Sequence, residues 1–415
     1  MKPYAIAILA IPCFSFGQLS LRNAERAAED SNPMLKAARA GVEAAKAAAG
    51  KLLAPFNPMA DLRLYGGRRD GTVMNMGFGF EMLEGSGGGG NAMLTWKVFS
   101  GGQDRTARAI ASSEIAIAES RAGAARLDVL LEVRTEFAEA SRMREELQAA
   151  EATLESAKEL ERVTRERFEA GKLPEAFVFG AKADRLKAER IALQVEAERK
   201  GAEARLAAAV GVAEIEGGIG EWDGSLDLPE DFDQALRAAF AESPVIAELQ
   251  REARAWSQRA RFMRQSGLPH VSLVAIGDRI FSGAAMGDSG SQVGLSLTFP
   301  VVDGGMRSSE ASEAEKKSAE FAALADHSRN RVRAELAAAW AQWAAAPKAI
   351  EAAKSQVDSA HEGYRVAKLR YEEGKAIRAE VAQALADLQE ARSGLAEAHK
   401  YQRVAWARVK RAMGE

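Results

Sequence analysis

Apolar residues recur at every seventh position along a stretch near the end of the chain: Leu336, Trp343, Ile350, Val357, Tyr364 and Tyr371. An earlier stretch answers with Val133, Ala140, Leu147 and Leu154, followed in the same register by Glu161 and Phe168. A seven-residue period keeps one side of a helix turned toward a partner helix, so both stretches predict long helices packed as coiled coils. At 1.5 Å per residue, a helix over residues 103 to 170 extends about 100 Å, far beyond a compact domain. Pro347 interrupts the second stripe where the first has Arg144. It removes a backbone hydrogen bond, so a bend is expected there. A different period appears at Val293, Leu295, Leu297 and Phe299, which alternate with Gly294, Ser296 and Thr298. Alternation predicts a strand with one face suited to lipid and the other to water. Strands are expected near 59–68, 91–100, 270–280 and 291–302, with glycine-rich loops at Glu84–Asn91 and Ser282–Ser291.

The pattern is duplicated. Leu94-Thr-Trp-Lys-Val-Phe-Ser-Gly-Gly102 aligns with Leu297-Thr-Phe-Pro-Val-Val-Asp-Gly-Gly305 at an offset of 203 (297 − 94). The same offset places Arg167-Phe-Glu-Ala-Gly171 on Arg370-Tyr-Glu-Glu-Gly374, and Ala209-Val-Gly211 on Ala412-Met-Gly414. Upstream, Ala24, Ala27, Ala28 and Pro33 match Ala235, Ala238, Ala239 and Pro244 at an offset of 211 (244 − 33), so the second copy lacks eight residues (211 − 203) between the Pro and the Gly-Gly. An unbroken register of this length predicts two repeats of one architecture, with the length difference in a surface loop. The expected organisation is a first repeat over 18–211 with a helical hairpin at 103–209, a connecting segment over 212–230, and a second repeat over 231–415 with a hairpin at 306–413. Pro55 and Pro58 close the helix before the first strand pair, and Leu268-Pro269 closes its counterpart.

The beginning of the chain alters the cellular setting. Lys2, a short apolar stretch from Tyr4 to Phe14 and the small residues Ser15 and Gly17 have the order of a secretory signal over 1–17. Cys13 is the only cysteine and falls inside that signal, which leaves no disulfide to expect. Loss of Lys2 changes the formal charge from −3 to −4 (−3 − 1), which gives no electrostatic reason to expect a nucleic-acid partner. No later segment is apolar for the about 20 residues a membrane helix needs. His270, His327, His361 and His399 are scattered without a second ligand at metal spacing, and the Gly85–Gly90 run lacks the Lys-Ser or Lys-Thr of a phosphate cradle. No nucleophile stands with a base, so neither an enzyme nor a cofactor is expected.

Four membrane-length strands cannot close a barrel, since bacterial outer-membrane barrels need at least about eight and an open edge would strand backbone groups in lipid. A cyclic homotrimer pools the strands of three chains and continues them into a tube of helices. The expected fold is therefore mainly α with β: a long α-helical barrel continued by a transmembrane β-barrel completed by trimerisation, each chain carrying two repeats.

Asn32-Pro33 after its Ala-rich helix, Leu268-Pro269 before a strand, Phe99-Ser-Gly-Gly102 and Val302-Asp-Gly-Gly305 after strands, and the paired Arg-aromatic-x-x-Gly reversals together resemble the TolC-like outer membrane factors across the whole mature chain. The resemblance implies an outer-membrane duct with a long periplasmic portion, serving efflux or type I secretion. Its implied partners are outer-membrane lipid, a periplasmic adaptor (membrane fusion protein) and, through it, an inner-membrane pump. Residues 212–230, with Gly217-Gly218 and Trp222, resemble the family's equatorial linker. The same resemblance makes Arg167, Phe168, Gly171, Arg370, Tyr371 and Gly374 the tip and adaptor-docking residues, and Tyr371 with Glu380 a pore gate. A second acidic position of the family pattern holds Gln383 here, and the matching place in the first tip holds Phe177, so the implied gate is less acidic. A bland reading of the same residues is an ordinary helical turn and a solvated Glu. A soluble periplasmic structural or adaptor coiled coil shares the helix content but leaves the two duplicated strand pairs unexplained.

Overall fold

The computed structural model describes residues 18–75, 79–282 and 289–415. The expected signal over 1–17, and residues 283–288 of the second expected loop, lie outside the described residues. The elements in order are α1 (Leu21–Ser31), α2 (Pro33–Leu53), β1 (Met59–Asn75), β2 (Gly79–Phe99), α3 (Gln103–Glu169), α4 (Glu175–Val210), α5 (Phe232–Glu242), α6 (Pro244–Gln265), β3 (His270–Ser282), β4 (Ser289–Thr298), α7 (Met306–Glu372) and α8 (Arg378–Met413). The fold is mainly helical with one antiparallel sheet, and each half repeats the same order of elements. The helix α7 continues through Pro347, whose ring lies on an exposed position. The chain divides into two compact units: one holds residues 40–121 and 245–327, the other 18–39, 122–244 and 328–415.

In the first unit the sheet has the order β1-β2-β3-β4, every pair antiparallel. Directly opposed residues share a face, so the register sorts the side chains. Leu62 and Leu64 of β1, Leu94 and Trp96 of β2, Leu273 and Ala275 of β3, and Val293, Leu295 and Leu297 of β4 fall on one face. Asp61, Arg63, Thr95, Lys97, Ser272, Ser296 and Thr298 fall on the other. A register shift between Lys97 and Phe99 pairs Phe99 with Val271, which itself opposes Leu297. The bulge thus returns Phe99 to the apolar face instead of the polar one. Leu62, Leu64, Val293, Leu295 and Leu297 are exposed in the single chain. None of the described helices is long and apolar enough to cross a membrane.

The loop expected at Glu84–Asn91 is a correction: these residues form part of β2. Gly87 to Gly90 pair on one side with Gly67 to Leu64 and on the other with Ser282 to Arg279. Glycine reads as loop because it is conformationally free, yet a central strand accepts it where neighbours crowd the backbone. At Gly89 a Cβ would lie 2.6 Å from the Tyr65 hydroxyl and 2.9 Å from the Arg279 carbonyl, so the ring of Tyr65 occupies the place a side chain would take.

The second unit is built around α1, which lays Leu21, Ala24 and Ala28 against Val133, Phe137 and Ala140 of α3 and Leu206 and Val210 of α4. The segment between α4 and α5 crosses this core. Leu19 and Ile219 bridge as parallel strands, and the Trp222 ring stands edge-on to Phe137 and Trp406 at 5.9 and 5.7 Å. Trp222 donates its Nε1 hydrogen to the Gly224 carbonyl at 2.9 Å, which satisfies the one polar atom of a mostly buried ring. The α3 and α8 helices are tied by polar side chains: Glu139 meets Lys400 at 3.0 Å, a Glu145 oxygen lies 3.1 Å from His399 Nδ1, and Asp128 meets Arg411 at 2.7 Å. Burial raises the Glu139 carboxyl, but Arg142 and Lys400 outweigh it and hold the group at about 2. The seven-residue stripe of α7 is its inward side, fully buried at Leu336 and Tyr371 and half-buried between them.

The facial sorting of the sheet predicts an asymmetric response to charge. In lipid vesicles, Leu295→Arg should lower stability by about 2–4 kcal/mol where the residue sits near the bilayer midplane, whereas the adjacent Ser296→Arg should cost far less. Equal shifts of the urea midpoint for the two variants would show that the faces are wrongly assigned.

Candidate functional site at the helical tips

Each long hairpin reverses through the same helix cap. In the first, the amide of Lys172 donates to the Arg167 carbonyl at 2.9 Å and that of Gly171 to the Phe168 carbonyl at 2.8 Å. In the second, Lys375 donates to Arg370 at 2.8 Å and Gly374 to Tyr371 at 3.0 Å. This pair of bonds requires a left-handed residue, and Gly171 and Gly374 have φ of 71° and 75°. Neither Gly is crowded, so the requirement lies in the backbone alone.

The side chains at the two reversals do not repeat each other. Tyr371 is 3% exposed and packs with Leu160 of α3 and Val381 of α8. Its hydroxyl lies 2.9 Å from Thr164 Oγ1, and Thr164 spends its own hydrogen on the Leu160 carbonyl at 2.6 Å. The tyrosine is therefore the donor of the pair, since a hydroxyl has one hydrogen to give. Arg167 lies over the Tyr371 ring at 5.0 Å and donates to the carbonyls of Tyr371, at 2.7 Å, and Glu372. Both carbonyls stand at the end of α7, that of Tyr371 also accepting the Gly374 amide, so a cation from the other repeat closes the helix end. Thr164, Arg167 and Tyr371 thus join the two repeats at one height.

The equivalents, Phe168 and Arg370, are left outside. Phe168 is 37% exposed. Arg370 reaches the Lys375 carbonyl at 3.4 Å and Glu380 at 3.6 Å, with both charged side chains about half exposed. An exposed ion pair of this kind contributes little, at most about 1 kcal/mol. Glu380 stands in the first turn of α8, where a carboxylate complements the helix dipole. Of the expected gate pair, Glu380 is available to solvent and Tyr371 is enclosed within the chain. Gln383 bonds Asp387 at 2.7 Å on the exposed side of the same helix.

A second clasp had no signal in the sequence. Arg378 pairs with Asp184 and donates to the Gly180 carbonyl at 3.2 Å, which ties α8 to α4. A Cβ at Gly180 would come within 2.8 Å of the guanidinium, so the absent side chain makes the approach possible. The repeat equivalent of Arg378 is Glu175, 203 residues earlier (378 − 175), so duplication does not flag it. Among the described residues no group of His, Cys, Asp and Glu is placed to hold a metal ion.

A sequence model of the family described as outer membrane efflux protein matches residues 25–212 and 235–415. No curated protein sequence matches the chain. The outer membrane protein VceC from Vibrio cholerae is similar in structure, with 20% identity, 95% of this chain and 96% of that chain covered, and a TM-score of 0.78. The CmeC outer membrane channel of Campylobacter jejuni gives 18% identity, 95% and 85% coverage and a TM-score of 0.76. The open state of the Neisseria gonorrhoeae MtrE outer membrane channel gives 17%, 95%, 88% and 0.71. At these identities the likeness is one of fold.

The polar latch at the tips predicts an order of effects. Thr164→Val strands the buried Tyr371 hydroxyl and should cost about 1–3 kcal/mol, more than Tyr371→Phe, which leaves every remaining hydrogen satisfied; the double variant should recover most of the loss. Protease susceptibility of the tips against temperature reads this order, and a more stable Thr164→Val than Tyr371→Phe would refute the donor assignment.

Proposed function

This chain belongs to the outer membrane efflux protein family, as a subunit of an outer-membrane efflux channel and not an enzyme, and from that premise we propose that three copies form one passive exit duct that docks a periplasmic adaptor at its tips. The observation that carries the trimer is the sheet. Its apolar face suits lipid, yet β1 and β4 each keep one edge without a strand partner among the described residues. An edge cannot stay open in a bilayer, and four strands cannot close on themselves, so β1 of one copy pairs with β4 of the next. Three chains then supply twelve strands, four from each.

The adaptor reading is supported by the exposed, duplicated reversals. Gly171 and Gly374 end their helices with open surroundings, so the backbone of each reversal faces whatever covers the tips. The pump in the inner membrane is reached through the adaptor, in an efflux or type I secretion assembly. In the gate, Glu380 supplies the acid that three copies bring to one axis, where a ring of carboxylates attracts cations. Tyr371 acts on it from behind, by fixing the end of α7 next to Arg370. The polar face of the sheet, with Asp61, Arg63 and Lys97, lines the duct within the membrane.

The detergent-extracted protein should have the mass of three chains, and cross-linking in native membranes should recover a periplasmic adaptor. Gly374→Val, which the left-handed backbone does not accept without strain, should cut that cross-linking yield severely while the trimer persists. An unchanged yield would make the reversal a passive turn, and a monomer would refute the duct.

A further inference from the structure

The contacts between the two repeats inside one chain have a second copy on its surface with the repeats exchanged, and from it we infer where neighbouring chains lock together. This inference rests on the proposed trimer and goes further, naming the knobs and the socket. Inside the chain, a cavity of about 210 Å3 lies between α3, α4 and α8, lined among others by Ala157, Leu160, Ala188 and Ile191 of the first repeat and Ala382 and Gln389 of the second. Exchange of repeats at the offset of 203 converts the first four into Ala360, Gly363, Ala391 and Gly394, and the last two into Phe179 and Leu186.

The exchange moves bulk from one side to the other. Leu160 and Ile191 become Gly363 and Gly394, so the α7–α8 surface gains space. Ala382 and Gln389 become Phe179 and Leu186, and one heptad on, Ala396 becomes Leu193, so α4 gains volume. Phe179, Leu186 and Leu193 are 63%, 47% and 62% exposed and stand seven residues apart, a coiled-coil seam left uncovered by the described residues. Nothing lies within 4 Å of a Cβ built at Gly363 or Gly394. The knobs of one copy therefore enter the socket of the next, filling at the seam the space that is empty within the chain.

Heights and charges agree. Arg167 on the carbonyls of Tyr371 and Glu372 sets both tips at one level. Leu186 lies eleven residues above the start of α4 and Gly363 nine above the end of α7 (186 − 175 and 372 − 363), which differ by about 3 Å of helical rise. Leu385, beside the inner cavity, is replaced by Lys182, and its neighbours Asp184 and Lys187 by Asp387 and Glu390, so the cation arrives opposite two acids. Glu145 and His399, paired at 3.1 Å within the chain, become Lys348 and Glu196, again of opposite character. At the tip, the buried Tyr371–Thr164 pair becomes Phe168 against Ala367: both hydroxyls vanish together, as they must if the two positions meet in a dry seam. Arg370 then takes the role of Arg167, on the end carbonyls of the neighbour's α3.

The occupant is a second copy of this chain, because the socket belongs to the same sequence and the exchange is reciprocal. The test combines Leu186→Cys with Gly363→Cys in the full chain carrying no other cysteine after processing, treated in native membranes with a short thiol-specific bifunctional reagent. A parallel chain pairs Leu186→Cys with Ala338→Cys, twenty-five residues higher on α7 (363 − 338). A covalent trimer with the first pair and its loss with the second is expected. A mass of three chains without linkage through Gly363 overturns the seam and leaves the trimer standing, whereas a monomeric mass overturns both. Linkage of Leu186→Cys to a different protein overturns the assignment by showing that a partner such as the adaptor covers the knobs.

Discussion

Unpaired backbone groups along β1 and β4 constrain the rest of the molecule, because a sheet whose apolar face suits lipid cannot end in an open ladder. Adding strands to the chain would close the sheet; here the length is put instead into helices. In the proposed trimer the ladder is completed head to tail, first repeat to second, and such an interface continues until the rotation closes. A head-to-tail ring demands that the first repeat present to a neighbour what the second repeat accepts. The helices inherit that demand, since α4 and α7 belong to the same repeats as β1 and β4.

Duplication supplies the shared geometry and divergence supplies the direction. Both hairpins reverse through the same cap with a left-handed Gly, because backbone geometry must be preserved in each copy. The side chains around the caps differ. Arg167 closes the end of the partner repeat's helix, whereas Arg370 is left beside Glu380. Tyr371 needs an acceptor once buried and finds it in Thr164, while Phe168 has no such need. Were the repeats identical, a ring of six halves would have no preferred way to group them into chains. The polar latch marks the seam inside the chain, and apolar knobs mark the other.

The helices and their inward stripes were legible because a seven-residue period is local and survives any environment: Val133, Ala140, Leu336 and Tyr371 are all buried where the period puts them. Family membership was legible through short motifs whose order, more than their content, is specific. The glycine run of β2 was misread because composition reports what a backbone can do and says nothing of what surrounds it; Tyr65 and Arg279 decide the matter from other strands. The hydrogen-bond partner of Tyr371 was hidden for a related reason. Its acceptor is Thr164, 207 residues away, and the duplicated register gives Ala367 at the corresponding position of its own repeat. Arg378 was silent because its repeat equivalent, Glu175, has the opposite charge.

The glycine run of β2, the latch of Tyr371 and the clasp of Arg378 share a physical cause: each is decided by residues far away in the chain. The period and the caps reveal only contacts encoded within a few dozen residues. At the tips, the repeats also meet through polar pairs about two hundred residues apart: Tyr371 with Thr164, Arg378 with Asp184, Arg167 with two carbonyls. Near the tips the apolar side chains buried between repeats form two small clusters, Leu160 with Tyr371 and Val381, and Ala157 with Ala188 and Leu385, and the polar bonds stand beside them. At the other end of the same unit, Phe137, Trp222 and Trp406 add a broad aromatic core to the charge pairs of α3 and α8. The buried apolar surface is thus larger at that end than near Gly171 and Gly374, where long-range polar pairs make up more of the contact between repeats.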